Sequence, residues 1–279
     1  YYAELFAGDS KGLSPCGLLQ LHGPRDAAAL ARLAERFAAY PRLVRLVDAA
    51  QASALAGVPL AHGGLYLPAS GWIVPPAACG RALDHPLIET LPGCRVRALS
   101  AEESGWRVQL DAGGMLQAGA VIVATAAAAN ELLGADALPL SPLRGQITLL
   151  PRAALTPAPR CVVCAEGYVA PPHGEWICCG ASFVRGAGDF VPTAGEHRGN
   201  LQQLQEILPF FDATAVDVAT LAGRVGYRAS TPDRLPVAGP VPDIDAFRVA
   251  YAGLQRNARL PVDRIGPYRE GLYVSAGHG

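Results

Sequence analysis

The last eight residues constrain this chain more than any other stretch. An apolar strand, Leu272-Tyr-Val-Ser-Ala276, opens directly into Gly277-His278-Gly279. Glycine has no Cβ, so a strand ending in Gly-x-Gly lets its backbone lie close against a bound group. Upstream, Gly223 to Gly239 reads as a strand that sets Arg228 among small residues, then a Thr231-Pro-Asp233 turn, then a second short strand. An arginine in such a strand needs a partner, because a desolvated cation is costly when left alone. Either the partner is a ligand carboxylate, which calls for an open site, or it is Asp233 or another acid, which calls for a buried pair.

Composition narrows the class. The chain has 279 residues, 51% of them hydrophobic and 17% charged, enough to build one large domain or two modest ones around real cores. A net charge of −1 predicts no whole-body attraction to nucleic acid or to a membrane surface. Lys11 is the only lysine, so nearly all positive charge is arginine, the side chain that grips carboxylates and phosphates in a fork. Abundant alanine and arginine also read as the mark of a high-GC genome. The best apolar run, Gly119 to Ala129, is about half of the roughly 20 residues a membrane span needs. Tyr1 starts no charged-then-apolar leader, and the seven cysteines form no disulfide framework. A cytoplasmic setting without membrane contact is the expectation.

Periodicity predicts a helix over Pro24 to Tyr40 and a short helix capped by Asp48 that stops at Gly57. It predicts a strand over Gly63 to Pro68 and a helix from Pro75-Pro76 to Leu83. Strands follow at Arg95–Leu99, Trp106–Leu110 and Ala120–Thr125, with a Gly113-Gly114 turn between the last two. Val121-Ile-Val-Ala-Thr125 is nearly all apolar, as for a strand buried on both faces, and runs into a small-residue helix, Ala126 to Leu133. Leu143 to Leu150 reads as a strand. Cys161 to Ala170 and Glu175 to Phe183 read as a hairpin around Pro171-Pro-His173-Gly174. Thr193 and Glu196 form a capping box before a helix reaching about Pro209. Val225–Ala229, Leu235–Ala238 and Leu272–Ala276 complete the strands. The sum is mixed α/β, with one layered sheet and a second, largely antiparallel one.

Other chemistries lack their residues. Cys161-x-x-Cys164 has zinc spacing, but Cys178 and Cys179 are adjacent in a strand and point to opposite faces, so no metal site is expected. No His-x-x-x-His or Gly-x-x-x-x-Gly-Lys pattern occurs.

Taken together, several runs resemble the D-amino-acid oxidase/glycine oxidase superfamily of FAD enzymes. They are Cys16 to Gln20, Gly63 to Tyr66 with Gly71-Trp72 and Pro75-Pro76, Ala120 to Ala127, Leu143 to Gln146, Gly167 to Pro171, Gly180 to Phe183, Arg228 to Gly239 and Gly277 to Gly279. Within the superfamily they are most similar to the oxidoreductase domain of bacterial bifunctional enzymes that make 5-methylaminomethyl-2-thiouridine in tRNA. Two features depart from the pattern. Ala126 stands where the flavoprotein Ala-Thr-Gly element has glycine. The family's opening βαβ unit with Gly-x-Gly-x-x-Gly, and its methyltransferase half, are absent from the sequence.

The resemblance implies an incomplete FAD-binding Rossmann-like domain interleaved with an antiparallel-sheet substrate domain. It divides the chain into 1–70, lead-in helices and a substrate-domain strand; 71–135, part of the FAD-binding domain; 136–267, mainly substrate domain; and 268–279, a return strand. Ala124, Thr125, Gly277, His278 and Gly279 would lie against FAD. Arg228 would anchor a substrate carboxylate, with Tyr168 closing over it. The implied reaction is oxidative removal of the carboxymethyl group from 5-carboxymethylaminomethyl-(2-thio)uridine at the tRNA wobble position. Two alternatives stay open: a small-substrate glycine or D-amino-acid oxidase, and a redox-inactive piece that serves only as a folding or RNA-contacting module. Without the βαβ unit, the isolated 279-residue chain is expected to hold little flavin and to be inactive. Nothing in the sequence sets its oligomeric state.

Overall fold

A computed structural model describes residues 6, 12–23, 27–135, 137–186, 188–263 and 265–278. In chain order the elements begin with β1 (Leu13–Ser14), β2 (Leu18–Leu21), α1 (Ala27–Arg36), β3 (Arg45–Val47), α2 (Ala49–Ala56), β4 (Gly64–Leu67), β5 (Trp72–Ile73) and α3 (Pro75–Leu83). Then come β6 (Val96–Glu102), β7 (Gly105–Leu110), β8 (Met115–Ala118), β9 (Val121–Val123) and α4 (Ala129–Leu133). The chain continues with β10 (Ser141–Pro151), β11 (Val162–Cys164), β12 (Tyr168–Val169), β13 (Trp176–Gly180), β14 (Val184–Arg185) and α5 (Ala194–Ile207). It closes with β15 (Ala222–Ser230), β16 (Val237–Pro242), α6 (Ile244–Ala250) and β17 (Tyr268–Ala276).

The chain forms two compact units. The first comprises 1–90, 145–183 and 189–226; the second comprises 91–144, 184–188 and 227–279. In unit 1 a mixed sheet runs β10-β13-β12-β11-β2-β4-β3, antiparallel except for the parallel β11–β2 pair. Its core takes Leu19 and Leu21 from β2, Val163 and Val169 from β11 and β12, Ile177 and Cys179 from β13, and Leu201, Leu204 and Ile207 from α5. The buried α5 residues, His197, Asn200, Leu201, Leu204 and Ile207, recur at three and four, so they share one face of the helix. Fully burying a leucine contributes about 1.5–3 kcal/mol, and Leu201 and Leu204 are each 1% exposed. Asp48 caps α2 in a reciprocal box with Gln51, and Gly57 ends the helix at φ +70°. The Thr193 side chain caps α5 by accepting from Glu196 N.

Unit 2 holds two three-stranded sheets, β16-β17-β9 and β6-β7-β8. In the first, β17 pairs antiparallel with β16 and parallel with β9, placing Leu272, Tyr273 and Val274 opposite Val121, Ile122 and Val123. One face of this sheet is core: Val123, Leu272, Val274 and Ala276 are buried with Trp106, Ala129 and Leu133. The expectation that the Val121 strand is covered on both faces is corrected here. Ile122 is 68% exposed and its register partner Tyr273 is 42% exposed, because among the described residues apolar side chains cover only the Val123 side.

Most boundaries match the periodicity within two or three residues. The first helix is shorter than expected: α1 ends at Arg36, ahead of Pro41, and Pro24 lies outside the described residues. The stretch expected as one strand over Cys161–Ala170 is two, because a turn at Ala165–Gly167 folds β12 back on β11, and β13 then adds to β12. Strand β8 and helix α6 carry too few apolar residues at regular spacing to show in the sequence.

Candidate functional site

The site in unit 2 is built at the carboxyl ends of two neighbouring parallel strands. β9 ends at Val123 and leads into Ala124, Thr125 and Ala126, all exposed. β17 ends at Ala276 and leads into the buried Gly277 and the exposed His278. Because the strands are parallel and in register, these two short segments emerge side by side from one edge of the sheet. In open parallel sheets, this edge is where ligands bind.

Local chemistry explains the shape of that edge. Gly277 has φ +71°, and a Cβ there would lie 2.9 Å from Thr231 Cγ2 and 3.4 Å from Leu140 Cδ2, so no larger residue fits without displacement. Thr231 is 5% exposed and its hydroxyl donates to Leu235 O at 2.8 Å, closing the Thr-Pro-Asp turn. Within that turn Asp233 accepts from Leu235 N at 3.0 Å. Hydrogen bonding from the Leu235 amide holds the Asp233 carboxyl below its ordinary range. His278 Nε2 is 3.0 Å from Ser275 Oγ, which ties the ring to its own strand. Ala126 has φ +50°, the left-handed region that glycine tolerates best.

The structure therefore brings Ala124 and Thr125 together with Gly277 and His278, and it sets the Thr231 turn against Gly277. Gly279 lies outside the described residues. Arg228 also belongs to unit 2, on an exposed position of β15. Tyr168 belongs to unit 1, half-buried on β12 with its hydroxyl 3.6 Å from Cys178 Sγ.

Arg144 and Tyr227 of unit 2 carried no role in the sequence reading. Arg144 is 7% exposed, and the position of a Cβ on Gly188 would lie 3.2 Å from Tyr227 Oη and 3.7 Å from Arg144 Cδ. Arg144 stands in the run Leu143 to Gln146, so the signal was present but carried no spacing that pointed to a role.

In unit 1 the cysteines sit in strands. Burial pushes the thiols of Cys161 and Cys164 up to about 11 and that of Cys179 up to about 12, so they stay protonated at neutral pH. Cys179 is fully buried while Cys178 turns toward Tyr168, the alternation a strand imposes. Among the described residues no three His, Cys, Asp or Glu side chains come together to hold a metal, and no helix is long and apolar enough to cross a membrane.

The chain belongs to the family described as FAD dependent oxidoreductase, matched over residues 1–279. It is 40% identical over 269 residues to the "tRNA 5-methylaminomethyl-2-thiouridine biosynthesis bifunctional protein MnmC" of Ectopseudomonas mendocina (strain ymp), and 43% identical over 269 residues to the protein of that name in Pseudomonas paraeruginosa. Each match covers 95% of this chain and 41% of the relative, so the chain spans about two fifths of those proteins. Among solved structures it is similar to glycine oxidase from Geobacillus kaustophilus, with TM-score 0.73 and 24% identity over 99% of this chain and 69% of that one. It is also similar to L-proline dehydrogenase from P.horikoshii, with TM-score 0.71 and 19% identity over 99% and 70%. These two likenesses establish the fold.

Proposed function

We propose that this chain is the flavin-dependent oxidoreductase part of an enzyme that removes the carboxymethyl group from 5-carboxymethylaminomethyl-(2-thio)uridine at the wobble position of tRNA. The observation that carries this reading is the 40–43% identity along 95% of the chain to the bifunctional tRNA-modifying proteins. A fused methyltransferase domain and a tRNA partner come with the same reading.

The residues fit an FAD. The exposed, small Ala124, Thr125 and Ala126 and the Cβ-free turn at Gly277 leave the strand edge open to a flat ring system, and His278 offers an exposed imidazole beside it. When bound, FAD supplies the two-electron oxidation. The side chains bind and orient. The exposed Arg228 guanidinium would form a charge-assisted, forked pair with the substrate carboxylate, fixing the adjacent CH2–N unit. Tyr168 is proposed as an aromatic wall for the substrate. On oxidation, the C–H bond between nitrogen and carboxylate loses a hydride equivalent and the nitrogen a proton. Water adds to the resulting imine, which splits into glyoxylate and the aminomethyl nucleoside.

The test is a substrate comparison with the natural protein. Glyoxylate release from tRNA bearing the carboxymethylaminomethyl group, at a far higher kcat/KM than from glycine or sarcosine, supports the proposal. Equal or better turnover of the free amino acids replaces it with a small-substrate oxidase. No turnover of either, with flavin absent, leaves only a redox-inactive module.

A further inference from the structure

We propose that the arginine-rich edge of unit 1, formed by α1 and β3, binds the phosphate backbone of the RNA substrate. The inference rests on the tRNA reading above and names the surface that serves it. Between residues 27 and 47 the chain carries four arginines, Arg32, Arg36, Arg42 and Arg45, against one glutamate, Glu35, in a protein whose net charge is −1. Arg32 and Arg36 lie one helical turn apart on α1. Arg42 sits in the turn that follows, and Arg45 opens β3, the terminal strand of the unit 1 sheet as ordered above. All four side chains are exposed. Among the described residues, no carboxylate forms a salt bridge with any of them.

Their contacts are aromatic instead. The Arg45 guanidinium lies 5.0 Å from the centre of the Tyr66 ring, and that of Arg36 lies 5.9 Å from Phe37. Stacking of this kind holds the planar fork in place while leaving its N–H donors directed outward. The adjacent Asp48 carboxylate is already engaged by the α2 cap, accepting from Gln51 N at 2.8 Å. Tyr40, 57% exposed, adds a ring of the type on which unpaired bases stack. A chain with no overall positive charge must hold a polyanion through a local patch, and in this stretch four arginines stand against one glutamate.

The experiment uses the natural protein with tRNA, measuring affinity at several salt concentrations for the wild type and for R32Q/R36Q/R42Q/R45Q. Each lost phosphate contact should flatten the slope of log K against log salt by about 0.7–0.9. The quadruple variant should therefore bind at least about tenfold more weakly near physiological salt, with a slope flatter by about 3. Flavin content, melting temperature and turnover of the free modified nucleoside should stay at wild-type levels. The matching arginine-to-lysine variant should recover most of the salt slope. Wild-type tRNA binding with unchanged affinity and slope in the quadruple variant overturns the patch and leaves the proposed function standing. Wild-type protein that neither binds tRNA nor acts on it overturns the proposed function itself. Vesicles of phosphatidylcholine with phosphatidylglycerol form the contrasting arm. Arginine-dependent binding to these, with tRNA affinity unchanged in the variant, assigns the edge to a membrane surface and overturns the RNA inference.

Discussion

His197 Nδ1 on α5 lies 2.8 Å from Thr148 Oγ1 on β10, with both side chains 3% exposed or less. Asn200 Nδ2 donates to the same Thr148 oxygen at 3.0 Å and to Gln146 O at 2.9 Å. With Asn200 donating to the Thr148 oxygen, the hydroxyl proton is best used toward His197 Nδ1, which makes the histidine a neutral acceptor protonated at Nε2. Burial lowers its pKa, against a smaller opposing effect from the Glu196 charge.

The sign of the pH dependence follows. A histidine whose folded pKa lies below its ordinary value of 6.5 is neutral in both states above that pH and contributes no slope there. As pH falls through 6.5 the unfolded chain takes up the proton first, and stability drops. The loss approaches at most about 1.4 kcal/mol per pH unit until the folded pKa is reached. Thermal melts from about pH 5 to pH 7.5 should show this fall in wild type and a flatter profile in His197→Gln. Parallel profiles for the two proteins would remove His197 as the cause.

Ala126 holds a left-handed backbone at φ +50°. That conformation costs a non-glycine residue roughly 1–2 kcal/mol, partly offset by the greater chain freedom glycine loses on folding. Ala126→Gly should therefore stabilise unit 2 by about 0.5–1 kcal/mol, and Ala126→Val should destabilise it by more than that. Denaturant midpoints of the three proteins give the check.

Gly277→Ala should act in the opposite direction. The new Cβ meets Thr231 Cγ2 at 2.9 Å on a backbone at φ +71°. A loss of about 1–3 kcal/mol in stability is expected, with less flavin absorbance per mole of the natural protein. An alanine variant with full stability and full flavin would show that the turn is looser than its geometry.

Arg228→Lys keeps the charge and loses the fork. Because Arg228 is exposed on β15, the melting temperature should hold. If it grips a carboxylate, substrate binding should weaken by about 1.5–3 kcal/mol, the scale of a charged hydrogen bond, read as KM in the natural protein. A lowered melting temperature with unchanged KM would make Arg228 a structural residue.

Local signals in the sequence determined much of this protein. Asp48 with Gln51, Thr193 ahead of α5, the Pro75-Pro76 start of α3 and the apolar period of each strand act over a few residues, so they can be read without knowing the fold. The strand-ending Gly277 and the Thr231-Pro-Asp233 turn were legible for the same reason, and so was their place among flavoproteins. What lies far apart in the chain was decided by tertiary structure. That β9 and β17, about 150 residues apart, pair in parallel and deliver Ala124–Ala126 beside Gly277 is a property of the sheet. So are the exposure of Ile122, which hydropathy assigns to a core, the burial of Arg144, and the joining of His197 to Thr148 across α5 and β10. Burial and pairing are set by what the rest of the chain places on each face, and a local pattern does not encode that.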